Sequence, residues 1–156
     1  MKRGFKRFAL LLVLIALMAG ACYMLWPHRF ADLQPECDSI TIIRTDDAED
    51  LSYTTTKETY SADSPAFAQI MDILSRYTYH RSFRTLAGAH WMEGNHAGFW
   101  LDVYLDHGDD RVDFTCGGTG EVLIDRVWRV GYWGDRASLS MMAKLAAVLE
   151  GQEIPE

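Results

Sequence analysis

The sequence predicts an α+β fold, in which one N-terminal transmembrane or signal helix precedes a mostly antiparallel sheet. About seven short strands form the sheet, and two helices pack on one of its faces. Three observations lead to this fold class. Nineteen uncharged residues run from Phe8 to Trp26, strand-like segments joined by short polar turns begin at Ser39, and two later segments repeat apolar residues at helical spacing. Parallel pairing of consecutive strands is not expected, because it requires long crossover connections between them.

The N-terminal segment predicts attachment to a membrane. Residues 1–7 form a basic tip, and residues 8–26 form the apolar helix. A helix over this run is about 28 Å long, close to the ~30 Å hydrocarbon thickness of a bilayer. Because Lys and Arg resist transfer across the membrane, we expect the tip in the cytoplasm and the rest of the chain outside.

Three fates remain open for this helix. Met18 to Cys22 resembles the lipobox of bacterial lipoproteins, in which a cysteine after small residues is lipidated, so Cys22 is a lipidation candidate. Ala19 to Ala21 also fits an ordinary signal-peptide cleavage site. However, the apolar run continues past the cysteine to Trp26, and aromatic residues are common at membrane interfaces. This continuation favours an uncleaved anchor.

The part after the anchor is expected to be one domain. We predict a spacer at 27–38, an extracytoplasmic α+β domain at 39–151 and a tail at 152–156. All four basic residues of the tip precede Phe8, so the remaining chain has 11 Lys and Arg against 22 Asp and Glu, a net charge of −11. Such a domain repels phosphate backbones, so nucleic acid is not an expected partner.

The first half of the domain contains a predicted hairpin and a helix. Ser39–Arg44 is β-branched, and the Thr-rich segment Tyr53–Tyr60 is expected to pair with it as an edge strand. Ser64 or Asp63 then suits a helix cap, and Pro65 suits the first helical position. Residues 79–86 are predicted to form the next strand.

The second half continues as a meander. Phe99 to Asp106 alternates apolar and polar residues, which predicts a strand with one buried face. Strands are expected to follow at 112–116 and 121–125. Val127 to Trp133 is predicted as the last strand, and Asp135 or Ser138 as the cap of the final helix.

The cysteines allow two interpretations. Outside the cytoplasm, Cys37 and Cys116 can oxidise to a disulfide, with Cys22 left over. Alternatively, both are buried free thiols, because cysteine packs well as a small hydrophobic residue.

Two groups of side chains are candidate sites. His90, Glu93 and His96 provide two imidazoles and a carboxylate that can hold zinc, although a polar loop explains the same residues. Trp128, Tyr132 and Trp133 can stack on a sugar or grip a peptide if they share an exposed face, although aromatic rings more often pack in a core. No motif in the sequence calls for a cofactor.

The layout of the chain resembles small membrane-anchored proteins and lipoproteins of unknown function from Gram-positive bacteria. Residues 1–26 carry this resemblance, together with the strand–strand–helix opening at 39–77. It implies a location and no activity. We therefore expect a non-catalytic binding module for a peptide, a protein or a cell-wall glycan. The alternatives are a metal-dependent hydrolase using the two histidines and Glu93, and a structural subunit of a membrane complex.

Overall fold

A computed structural model of the chain describes residues 2–33, 36–47, 53–82, 97–124 and 126–155. The predicted fold class is confirmed, because a seven-stranded antiparallel sheet follows an N-terminal apolar helix. The helices are α1 (Lys2–Leu25), α2 (Phe30–Leu33), α3 (Pro65–Ser75) and α4 (Arg136–Leu149). The strands are β1 (Ser39–Asp47), β2 (Tyr53–Ser61), β3 (Tyr79–Arg81), β4 (Phe99–His107), β5 (Asp110–Cys116), β6 (Glu121–Ile124) and β7 (Arg126–Val130).

The strand order is β2-β1-β4-β5-β6-β7-β3, so β2 and β3 form the two edges. Strands β4 to β7 follow one another as a meander, and every pair in the sheet is antiparallel. The predicted edge position of the Thr-rich strand is therefore confirmed.

The hydrophobic core lies between one face of the sheet and the helices α3 and α4. The alternation predicted for β4 is confirmed, because Leu101, Val103 and Leu105 are fully buried. Val103 lies opposite Ile42 on one side and Phe114 on the other, so a continuous apolar row crosses the centre of the sheet. The helices cover this row with buried side chains, namely Ile70, Ile73, Leu74, Met141, Met142 and Leu145.

Both helix caps lie at predicted residues, Ser64 in α3 and Asp135 in α4, although only the first makes a side-chain capping bond. The Ser64 hydroxyl accepts a hydrogen bond from the Phe67 amide at 3.1 Å, and Pro65 begins the helix. In α4, Asp135 occupies the cap position, but its side chain makes no capping hydrogen bond to the helix. Ser138 is not the cap. Its hydroxyl lies inside the first turn, donates to the Asp135 carbonyl at 2.8 Å and accepts from the Gly120 amide at 2.8 Å.

The segment predicted as a spacer contributes to the domain. His28 pairs with Tyr79 of β3 through two backbone hydrogen bonds, of 2.8 and 3.0 Å. Phe30 in α2 is fully buried, with its ring centroid 6.3 Å from that of Phe114. The chain that leaves α1 is therefore held against the sheet within a few residues.

The last strand is shorter than predicted, because β7 ends at Val130 rather than at Trp133. Gly131 has a φ of +71°, which breaks the extended backbone, and its amide donates to the Thr78 carbonyl at 2.8 Å. Tyr132 and Trp133 consequently lie in a loop, where the face alternation of a strand does not apply.

Candidate functional site

The helix α1 has the length and composition of a membrane span. Within the part of the chain that the structure describes, only Lys6–Leu25 is long and apolar enough to cross a bilayer, with a mean hydropathy of 2.6. Just 6% of that window is buried, whereas the core helix of a soluble protein is mostly buried. Because the helix lies near the N-terminus, it is either a membrane anchor or a signal sequence.

The C-terminal end of α1 contacts β3 directly. The last carbonyls of any helix lack partners within the helix. Here the Leu25 carbonyl lies 3.0 Å from His80 Nδ1, and the Tyr23 carbonyl accepts a hydrogen bond from Arg81 Nη1 at 3.0 Å. Met24 is only 5% exposed. Two adjacent side chains of the sheet edge therefore cap the helix.

Ring contacts reinforce this junction. The Arg81 guanidinium lies 4.0 Å from the centroid of the Tyr23 ring, a distance at which the cation is attracted to the ring face. The His80 ring is 4.2 Å from the Tyr132 ring, centroid to centroid. On the other side of Arg81, burial and the nearby guanidinium charge lower the pKa of His28 below its ordinary value.

A cavity of about 270 Å³ opens beside these contacts, and we call it the junction cavity. Met24 and Leu25 of α1 form one wall, and His80 and Arg81 of β3 form another. Arg129, Gly131, Tyr132 and Trp133 complete the lining. His80 Nε2 and Arg81 Nε are buried and have no hydrogen-bond partner among the described residues. The cavity therefore combines an apolar wall with the basic side chains of its other lining residues.

The three aromatic residues predicted as a binding strip separate in the structure. Trp128 is 5% exposed, and its indole nitrogen donates to the Ile124 carbonyl at 3.1 Å, so it belongs to the core. Tyr132 is 50% exposed and Trp133 is 84% exposed, and both line the junction cavity. Trp128 therefore does not share a surface strip with them.

The exposed hydrophobic side chains are concentrated at this junction. Beyond Trp26, only three large hydrophobic residues in the described ranges are strongly exposed: Tyr53, Tyr132 and Trp133. Two of the three border the cavity at the end of α1. An exposed aromatic patch beside an apolar helix is a feature of an interaction surface.

Arg129 connects the cavity wall to a buried carboxylate. Its Nη2 donates to the Gly134 carbonyl at 3.1 Å, and its Nη1 lies 3.9 Å from Glu121 Oε1. Glu121 is 6% exposed and also accepts a hydrogen bond from the Ser82 hydroxyl at 2.6 Å. These contacts fix the loop that carries Tyr132 and Trp133.

The opposite edge of the sheet is the strand β2, which is largely exposed to solvent. Strand β2 is nine residues long, and all of its side chains except that of Tyr60 are exposed. It pairs with β1 from Ser39↔Ser61 to Asp47↔Tyr53, and among the described residues no strand lies on its other side. A row of backbone groups is therefore open to solvent at this edge.

The predicted metal ligands His90, Glu93 and His96 lie outside the described residues. Within the described ranges, no group of three His, Cys, Asp or Glu side chains is arranged to hold a metal ion. The zinc site stays a prediction from the sequence.

The predicted Cys37–Cys116 bridge is not formed, and both residues are free thiols. The strand register explains why. Cys116 lies opposite Leu101, whereas Ser39, which follows Cys37 closely, lies opposite Asp106. Leu101 and Asp106 are about 17 Å apart along β4, but a disulfide needs Cα atoms within about 7 Å. Of the two free thiols, Cys116 is buried in the core and Cys37 is partly buried against it, and the candidate Cys22 is exposed on α1.

We expect alkylation to report this arrangement. With iodoacetamide and no reductant, the folded full-length protein should leave Cys116 unmodified, because that thiol is fully buried and its burial raises its pKa. After denaturation, Cys37 and Cys116 should each gain one adduct, measured by peptide mass spectrometry. If both stay unmodified until a reductant is added, the two residues are bridged and the register argument is wrong.

Sequence reasoning missed His80 and Arg81, because the segment around them has the pattern of an ordinary strand. No pattern in the sequence marks these two residues as the partners of α1. Comparisons with protein-family models, with curated proteins and with solved structures find no match for this chain.

Proposed function

We propose that the chain is a membrane-anchored, extracytoplasmic binding module that receives a protein segment as an added strand along β2. The observation that carries this proposal is the edge strand β2, in which eight of the nine residues are exposed. Strand addition supplies backbone hydrogen bonds from any extended segment, and side-chain pockets then select the sequence. No catalytic chemistry is required of the module.

The composition of β2 supports docking at this edge. Natural edge strands are usually protected by proline, bulges, short length or charged side chains, especially lysine. Strand β2 contains no proline, and Lys57 and Glu58 are its only charged residues. Its pairing with β1 continues without interruption from end to end. Thr54, Thr55 and Thr56 favour the extended backbone that a docked strand needs.

The other edge is closed to a partner. Strand β3 has three residues, and its first residue already pairs with His28. Its next two side chains, His80 and Arg81, hold the end of α1. Six strand spacings of about 4.8 Å separate β3 from β2, which puts the docking edge about 29 Å across the sheet from the anchor. The proposed docking edge and the anchor thus lie at opposite ends of the sheet.

A pair of proline substitutions tests the proposal. Neighbouring residues of an edge strand direct their amides alternately toward the sheet and toward solvent. Of Thr55→Pro and Thr56→Pro, one therefore removes an outward donor, and the other breaks the ladder with β1. The melting temperature of each full-length variant identifies the outward one, because only the ladder-breaking change should lower it strongly.

The readout is crosslinking in intact cells from a photoreactive residue at Tyr53. We expect one discrete protein adduct, reduced at least about tenfold in the outward variant. The same photoreactive residue at Asp109, exposed in the β4–β5 turn, is the control and should give no such adduct. An adduct that persists in the stable, outward variant would exclude docking at this edge.

A further inference from the structure

We propose that the junction cavity binds an anionic phospholipid of the bilayer around α1. The phosphate would face the guanidinium group of Arg129, and an acyl chain would follow the apolar wall. This site is independent of the β2 edge and requires only that α1 lies in a membrane.

The position of the cavity favours a lipid over a soluble ligand. Its apolar wall is formed by Met24 and Leu25, the last two residues of the helix that is apolar enough to span a bilayer. Tyr and Trp are enriched where a membrane meets water. Tyr132 and Trp133 provide exposed rings on the cavity, so the cavity opens at the depth where lipid headgroups lie.

The local charge favours an anionic headgroup. The domain after the tip has a net charge of −11, yet the cavity lining contains two arginines, Arg81 and Arg129, and no acidic residue. The carboxylate that the structure places beside Arg129 is the buried Glu121, at 3.9 Å. Guanidinium groups match the geometry of phosphate oxygens. Arg81 uses Nη1 on the Tyr23 carbonyl, but its buried Nε has no partner among the described residues. The Arg129 side chain, in contrast, is 33% exposed and can meet a phosphate oxygen.

The size of the cavity matches part of a lipid. A volume of about 270 Å³ equals the space of about nine water molecules in the liquid. A glycerophosphate group with the first methylenes fits this space, while the rest of each chain stays in the bilayer beside α1. A peptide or a sugar chain would have to displace the lipid that surrounds the same wall.

Native mass spectrometry of the full-length protein, released from nanodiscs, tests the assignment. From nanodiscs that mix phosphatidylglycerol and phosphatidylcholine equally, we expect one phosphatidylglycerol to be retained. Arg129→Gln and Trp133→Ser should each lower that retention at least about fivefold. Trp133 is 84% exposed, so its substitution leaves the fold intact even if the arginine variant unfolds. Arg76→Gln, at an exposed ion pair with Asp72, is the matched control and should retain lipid normally.

Other outcomes overturn the proposal. Equal retention of both lipids, or retention that Trp133→Ser and Arg129→Gln leave unchanged, would exclude a specific site. Loss of the lipid on adding millimolar inorganic phosphate would identify free phosphate as the ligand. A lipid that survives denaturation and disappears in Cys22→Ser would assign the cavity to a covalent chain.

Discussion

Gly120→Ala is expected to destabilise the domain by at least about 3 kcal/mol. Gly120 has a φ of +83°, which side chains disfavour, and an added Cβ would lie 2.4 Å from the Gly134 carbonyl oxygen. That oxygen belongs to the backbone and also accepts the hydrogen bond from Arg129, so it cannot move away freely. The Gly120 amide and carbonyl are themselves bonded to Ser138 and Val130, which fixes the glycine as well.

Gly108→Ala is the matched control for this change. Gly108 has a φ of +58°, but nothing lies within 4 Å of the added Cβ, so the cost should be about 1 kcal/mol. In thermal unfolding followed by circular dichroism, we expect Gly120→Ala to melt about 12 °C lower than the parent protein. Equal shifts for the two variants would mean that the contact with Gly134 is relieved at little cost.

The fold class could be predicted because its determinants are local. The alternation in β4 directs Leu101, Val103 and Leu105 to one face whatever strand lies beside it. The cap of α3 needs only Ser64 and Pro65, which are adjacent in the sequence. Tight turns between successive strands then leave an antiparallel arrangement as the simplest solution.

The junction at α1 could not be predicted, because its partners are distant in the sequence. His80 and Leu25 are 55 residues apart, and Arg81 and Tyr23 are 58 apart. The sequence of neither segment indicates that the other lies beside it.

The predicted strip of Trp128, Tyr132 and Trp133 is not formed, for a related reason. A single glycine, Gly131, ends β7 early, and this turns Tyr132 and Trp133 outward while Trp128 stays in the core.

In our proposals, the two edge strands of the sheet, β2 and β3, have separate functions. Strand β3 is short, closed and attached to the apolar helix, whereas β2 is long and open. Any force on a partner at β2 would reach the membrane through the whole hydrogen-bonded sheet. This arrangement suits a module that holds a protein at a fixed distance from the bilayer.

Raising the pH from 9 to 11 is expected to remove about 4 kcal/mol of stability. Burial, with a smaller contribution from the charge of Asp102, raises the pKa of Cys116 above its ordinary value of 9.0. Burial also raises the pKa of Tyr79 above its ordinary value of 10.0. The unfolded chain therefore loses these protons first. Stability is fully present below pH 9 and falls by about 1.4 kcal/mol per pH unit for each group above its ordinary pKa.

Urea unfolding of the full-length protein between pH 7 and pH 11 measures this loss. The Cys116→Ala variant should be less stable at pH 7 but should show a flatter decline above pH 9, because one of the two groups is gone. Cys37 and Tyr104 are less buried, and burial raises the pKa of each, so Cys37→Ala should leave most of the slope in place. An unchanged slope in Cys116→Ala would mean that this thiol ionises as easily in the folded protein as in the unfolded chain, which full burial beneath the helices does not permit.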